Sequence, residues 1–190
     1  MSLYHAHAFV DGGFLRVLAK EAFNGKYINP SQLSEKAVHS IAHWGGTSME
    51  KSVALTRVIY YDAKPEKDED LDSRLSKYWA AVELLPYTEL GFGTQRLGTK
   101  KKPSSQKGVD TLMAVDMVVG AFSGIYQVAI LIAEDSDFVP VINEIRRRGV
   151  MVEVVGREDR IADDLLRSAD RFFPINPNPG AGHLIELKIE

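Results

Sequence analysis

The chain has 190 residues, 45% of them hydrophobic and 26% charged, which suits a single domain with a sizeable core. No apolar run approaches the roughly 20 residues that span a bilayer, the N-terminal run lacks the basic and apolar regions of a signal peptide, and the absence of cysteine excludes disulfides, thiolate zinc sites and cysteine nucleophiles; a cytoplasmic protein is expected. A net charge of −3 excludes nucleic-acid binding by bulk charge alone, so such binding would need a local basic patch or a metal ion.

The apolar residues His7 to Val10, stopped by Asp11-Gly12-Gly13, read as a buried strand and a turn. Leu15, Leu18, Ala19 and Ala22 then follow helical spacing over residues 14–22. Asn29-Pro30-Ser31 caps a second helix over 32–44, ended by Gly45-Gly46. Residues 53–61 are β-branched and aromatic, as in a strand. A helix is expected over 68–82 through Leu71, Leu75, Tyr78 and Trp79, and one or two strands over 84–97, broken at Gly91 and Gly93. Residues 98–108 form a polar, basic loop, followed by a helix over 109–122. The unbroken apolar run 128–133 has the character of a central parallel strand covered on both faces. A helix over 137–148 capped by Gly149, a strand over 150–155, a short helix over 161–169 and a last strand from Phe172-Phe173 complete the series. Alternating strands and helices predict an α/β fold with a mostly parallel sheet and helices on both faces. One domain is expected over 1–175, with 176–190 a tail or an added edge strand.

In an open parallel sheet, ligands bind beyond the carboxyl ends of the strands. Asp11 follows the first strand, Glu134, Asp135 and Asp137 follow the run 128–133, and Asp110 opens a helix behind Lys107-Gly108. Each aspartate alone reads more readily as a helix cap than as a ligand. Caps at random would scatter over both ends of the sheet, whereas these share one. Adjacent central strands would bring Asp11 and Asp135 within a few ångströms, and carboxylates that close repel. A divalent cation removes that repulsion, and Mg²⁺ or Mn²⁺ prefers such hard oxygen ligands. Such an ion lowers the pKa of a water and steadies a phosphate oxygen, which is sufficient for phosphodiester hydrolysis. Asp116 lies six residues beyond Asp110, about 240° around the helix, so it is assigned a supporting place together with Glu134 and Ser136.

Phe9-Val10-Asp11-Gly12, then Lys107-Gly108-Val109-Asp110 with Asp116 behind it, then Ala133 to Pro140 with Asp135-Ser136-Asp137-Phe138 at its centre, resemble the NYN domain of the PIN-like nuclease superfamily, its LabA-like branch in particular. The strand at 149–154 and the segment 166–172 resemble it too, so the likeness spans about residues 7–173. It implies a Rossmann-like sheet and a Mg²⁺- or Mn²⁺-dependent ribonuclease whose metal-binding and catalytic acids are Asp11, Asp110, Asp135 and Asp137. The chain differs from the family's common pattern at Phe14, where Asn is usual, and at Glu134, where Gly is usual.

Lys107, Lys100, Lys101, Lys102 and Arg96 border the expected site and are the candidate contacts to RNA phosphates, against the plainer reading of a solvated loop. Arg146-Arg147-Arg148 suits the negative end of a helix dipole. Tyr60, Tyr61, Trp79 and Tyr87 are spaced for core or interface burial rather than base stacking, and the five histidines show no ligand spacing. Single-stranded or structured RNA is the expected partner; domains of this type often pair, and the C-terminal tail is a candidate for such a homodimer contact. Two rival readings stand. A haloacid-dehalogenase-like phosphatase would use Asp11 as nucleophile, though Gly13 occupies the place of its second aspartate. A catalytically inactive module would bind RNA or a protein partner.

Overall fold

The computed structural model describes residues 3–42, 52–65, 72–96 and 105–175. In chain order its elements are β1 (Leu3–Asp11), α1 (Gly12–Ala22), α2 (Pro30–Ala42), β2 (Ser52–Pro65), α3 (Ser73–Glu83), β3 (Thr88–Arg96), β4 (Ser105–Lys107), α4 (Val109–Phe122), β5 (Val128–Ile132), a 3-10 turn (Ser136–Phe138), α5 (Val139–Arg147), β6 (Met151–Gly156), α6 (Asp163–Ser168) and β7 (Arg171–Pro174). The expected C-terminal tail and Trp44 to Gly46 lie outside the described residues. No helix among them is long and apolar enough to cross a membrane.

The strands form one sheet in the order β4-β3-β2-β1-β5-β6-β7. Six of them run parallel and β4 lies antiparallel on β3 at the edge, so the expected α/β, Rossmann-like architecture is the one observed. Side chains alternate across the sheet because the strand period is two. Ala8 and Val10 of β1 join Leu15, Leu18, Leu33 and Trp79 of α1, α2 and α3 in one cluster. Phe9 between them joins Met113, Met117, Ile142 and Ile145 of α4 and α5 in the other. Every residue of β5 is buried, as its unbroken apolar run requires.

Two local expectations are corrected. Gly91 and Gly93 do not break β3, which is continuous; a Cβ at Gly91 would come within 2.6 Å of the Tyr61 ring, so the glycine is where an aromatic side chain crosses a neighbouring strand. The helix expected from residue 137 starts at Val139, because Asp135 first caps the 3-10 turn.

Gly12 joins β1 to α1 where nothing larger fits: a Cβ there would meet the Tyr60 ring at 2.5 Å and the Tyr61 carbonyl oxygen at 2.6 Å. Backbone cannot swing aside as a flexible side-chain tip can. Gly12→Ala is therefore expected to cost about 1–3 kcal/mol, read as a lowered midpoint in urea unfolding; an unchanged midpoint would show that α1 has slack against β2.

Candidate functional site

All six parallel strands point their carboxyl ends to one rim. From β1 the chain returns through α1 on one face of the sheet, and from β5 through α5 on the other. The crevice between these two strand ends is the switch point where open α/β sheets bind ligands. Val10 pairs with Ile132 in register, so Asp11 and the Ala133-Glu134-Asp135 run leave the sheet side by side.

Asp11 is both a cap and a strained acid. Its Oδ1 accepts the Gly13 N–H at 2.8 Å and caps α1. Burial, opposed by the Phe14 and Gly13 N–H groups but joined by the nearby charges of Asp110 and Asp62, pushes its pKa up from 3.8 to about 6. Asp110, in the first turn of α4, is raised as well, by burial and then by Asp135 and Asp137. Asp135 accepts the Asp137 N–H at 2.9 Å and caps the 3-10 turn. Repulsion thus links the four predicted acids: Asp11 feels Asp110, and Asp110 feels Asp135 and Asp137. None of the four forms a salt bridge among the described residues.

A hydrated divalent ion fits this arrangement by chemistry. Among the described residues no three carboxylate or histidine side chains form a ready-made cage. Mg²⁺ does not need one, because it keeps several waters and takes one or two carboxylates directly. Hard, mutually repelling oxygen donors with no salt-bridge partner among the described residues are the donor set it would suit.

The supporting acids divide differently. Asp116 accepts the Tyr61 hydroxyl at 2.9 Å, fastening α4 to β2. Glu134 is held by Arg157, whose Nε and backbone N–H each reach Oε1 at 2.8 Å while its second guanidinium nitrogen reaches Oε2 at 2.6 Å. Arg157 also binds Glu21 of α1 at 2.6 Å, so Glu134 ties the end of β5 to β6 and α1. Phe14 is buried in the core with the Arg157 guanidinium 5.7 Å from its ring centroid, and it brings no polar group to the rim. Ser136 lies exposed in the 3-10 turn.

Lys100, Lys101 and Lys102 lie outside the described residues. Arg96 and Lys107 are described in backbone only, ending β3 and β4. Tyr60, Tyr61 and Trp79 are buried as expected, whereas Tyr87 is 59% exposed at a positive φ of 60°, so it is not a core residue. Arg146 does more than balance a dipole: it binds the Ser168 carbonyl at 2.8 Å and Asp170 at 2.7 Å.

The sequence reading missed Asp62 and Arg16. Asp62, 1% exposed, lies one residue past Tyr61, the strand partner of Asp11. It pairs with Arg16 of α1 and accepts the Trp79 indole N–H at 2.9 Å. The signal was an aspartate inside an apolar run, Val58-Ile59-Tyr60-Tyr61-Asp62-Ala63, set aside by ending the strand at Tyr61.

The model of the NYN domain family matches residues 8–176. A crystal structure of a protein of unknown function from Vibrio parahaemolyticus superposes with a TM-score of 0.60 at 19% identity, covering 91% of this chain and 93% of that one; at that identity the likeness concerns the fold. No curated protein matches the chain.

The raised pKa of Asp11 has a definite sign. The folded state holds the proton more tightly than the unfolded chain, so the protonated carboxyl favours folding most below the ordinary value of 3.8, and that contribution is lost as pH rises through about 6. Above that pH the ionised group costs about 3 kcal/mol. Asp11→Asn keeps the shape and the cap. In EDTA it should raise the melting temperature by roughly 5 °C at pH 7.5 and change it little at pH 4. Destabilisation at pH 7.5 would show that the charge is already compensated.

Proposed function

The chain belongs to the NYN domain family, and from that premise we propose that it is a divalent-metal-dependent ribonuclease cutting RNA at the rim between β1 and β5. What supports this reading is the relay of repulsion from Asp11 to Asp110 and from Asp110 to Asp135 and Asp137, with no salt bridge to any of the four among the described residues. Asp11 and Asp135, fixed by their capping bonds, are assigned as direct ligands of Mg²⁺ or Mn²⁺. Asp110 and Asp137 are assigned to hold and orient waters. When bound, the ion supplies acidified water and neutralises charge on a phosphate oxygen. The protein's part is to hold the acids in place and to accept the water's proton, and no covalent intermediate with the enzyme is required. Lys107 stands two residues before the helix that carries Asp110, and with Arg96 and Lys100 to Lys102 it is assigned to flanking phosphates. Within the family, the runs around Asp110 and Asp135 favour the LabA-like branch.

One observation favours a second reading. Phe14 puts a buried ring where a polar side chain would help organise the rim, which suits a module that binds RNA or protein without cutting.

Asp11→Asn and Asp135→Asn are each expected to lower Mn²⁺-dependent cleavage of a single-stranded oligoribonucleotide by at least about 100-fold. Undiminished cleavage by both variants would overturn the assignment. Calorimetry with Mn²⁺ separates the readings further: RNA binding with neither metal uptake nor cleavage favours the module.

A further inference from the structure

Asp62 is the most enclosed acid near the rim. Its Oδ2 pairs with the Arg16 guanidinium and accepts the Trp79 indole N–H at 2.9 Å and the Tyr60 hydroxyl at 3.3 Å; its Oδ1 accepts the Ala63 N–H at 2.7 Å. A carboxylate with this many donors is satisfied in the interior. Its effect is to hold Arg16, whose side chain remains 26% exposed against 1% for Asp62. One guanidinium nitrogen is engaged by Asp62, and the group carries five N–H donors in a planar fork. Two residues along the same face of β2, Lys64 is exposed. Its ammonium lies 3.8 Å from the centroid of the Phe92 ring and 5.9 Å from that of Trp79. It has no carboxylate partner among the described residues. Trp79 therefore braces both cations, one through Asp62 and one through its ring.

This pair stands across the sheet from the acids. Asp62 is one position past the strand partner of Asp11, so its side chain leaves the opposite face, yet it is near enough for its charge to oppose that of Asp11. A buried ion pair is a poor way to gain stability, since apolar side chains of similar volume often do better. Its distinctive product is a fixed, partly exposed guanidinium, the group best shaped for phosphate. An acidic rim repels a polyanion, so a strand entering it needs cations close by.

We propose that Arg16 and Lys64 form a backbone-phosphate subsite at the carboxyl end of β2, receiving the single-stranded RNA as it leaves the acids. This rests on the ribonuclease reading above. The subsite reads backbone rather than base, so it tolerates any sequence, and its strength falls with salt.

The test is fluorescence anisotropy with a labelled single-stranded oligoribonucleotide across a salt series, using the full chain carrying Asp135→Asn to prevent turnover. Lys64→Gln alters an exposed side chain and tests one cation. The double change Arg16→Gln with Asp62→Asn removes both members of the buried pair without stranding a charge; Arg16→Lys, which keeps the charge and loses the fork, replaces it should the double variant not fold. Lys64→Gln and the double change should each weaken binding by about tenfold at low salt and flatten the plot of log affinity against log salt by about 0.7 for each cation removed; Arg16→Lys should weaken binding with the slope kept. In the otherwise native chain, Lys64→Gln should raise KM more than it lowers kcat and leave Mn²⁺ uptake as in the parent. Parental affinity and slope in Lys64→Gln, or parental affinity in the folded Arg16 variant, would overturn the subsite while leaving the ribonuclease reading standing. A parent chain that neither binds nor cuts RNA would sink that reading and this one with it.

Discussion

Like charges gathered at one rim are the constraint around which the rest is arranged. Parallel strands all end on the same side, so the acids that follow neighbouring strands share one rim. Asp11 is largely buried there, and its charge is opposed by Asp110 and Asp62. The fold tolerates this because the rim is stiff: Gly12 allows α1 to lie directly on Tyr60, and the caps formed by Asp11 and Asp135 pin the first turns that follow each strand. On the metal-dependent reading proposed above, such a site would carry its cost in the metal-free state and regain it on binding a cation.

Acids that look alike in the sequence act through different surroundings. Glu134 adjoins Asp135 in the chain, yet its carboxylate is gripped by Arg157 and serves to bind β5, β6 and α1 together. Asp116 shares α4 with Asp110, yet it anchors the helix through Tyr61. Asp62 sits one strand over from Asp11, yet it faces Trp79 and Arg16 within the core. Partners, rather than residue type, separate the acids that fasten the frame from those left facing solvent.

Much of this was legible from the residues in order. The apolar run at 128–133 identified the central strand, because only a strand covered on both faces is apolar at every position. The α4 boundaries followed from Gly108 and the apolar spacing behind it. Asp11, Asp110, Asp135 and Asp137 were singled out because each stands at or beside a junction between elements, and the alternation of elements fixes which rim that is. Asp62 was not legible for the opposite reason. It lies within a strand, where its environment depends on Trp79, seventeen positions away, and on Arg16, forty-six away. Pairings at that separation are set by packing and leave no local spacing. The continuity of β3 was likewise hidden: Gly91 reads as a breaker until the ring of Tyr61 is seen lying across it.

The hairpin at the far edge carries a consequence for how such a domain diversifies. Arg96 pairs with Ser105 and Thr94 with Lys107, so the connection between them begins and ends on a clasped ladder, and α4 starts two residues later with its position set by the sheet. Whatever is inserted or deleted inside that clasp, the helix bearing Asp110 keeps its footing, and lengthening a connection costs little closure entropy. On the ribonuclease reading, the acids and the basic run assigned to phosphate would thereby be decoupled, and one could be rewritten over generations while the other stays still.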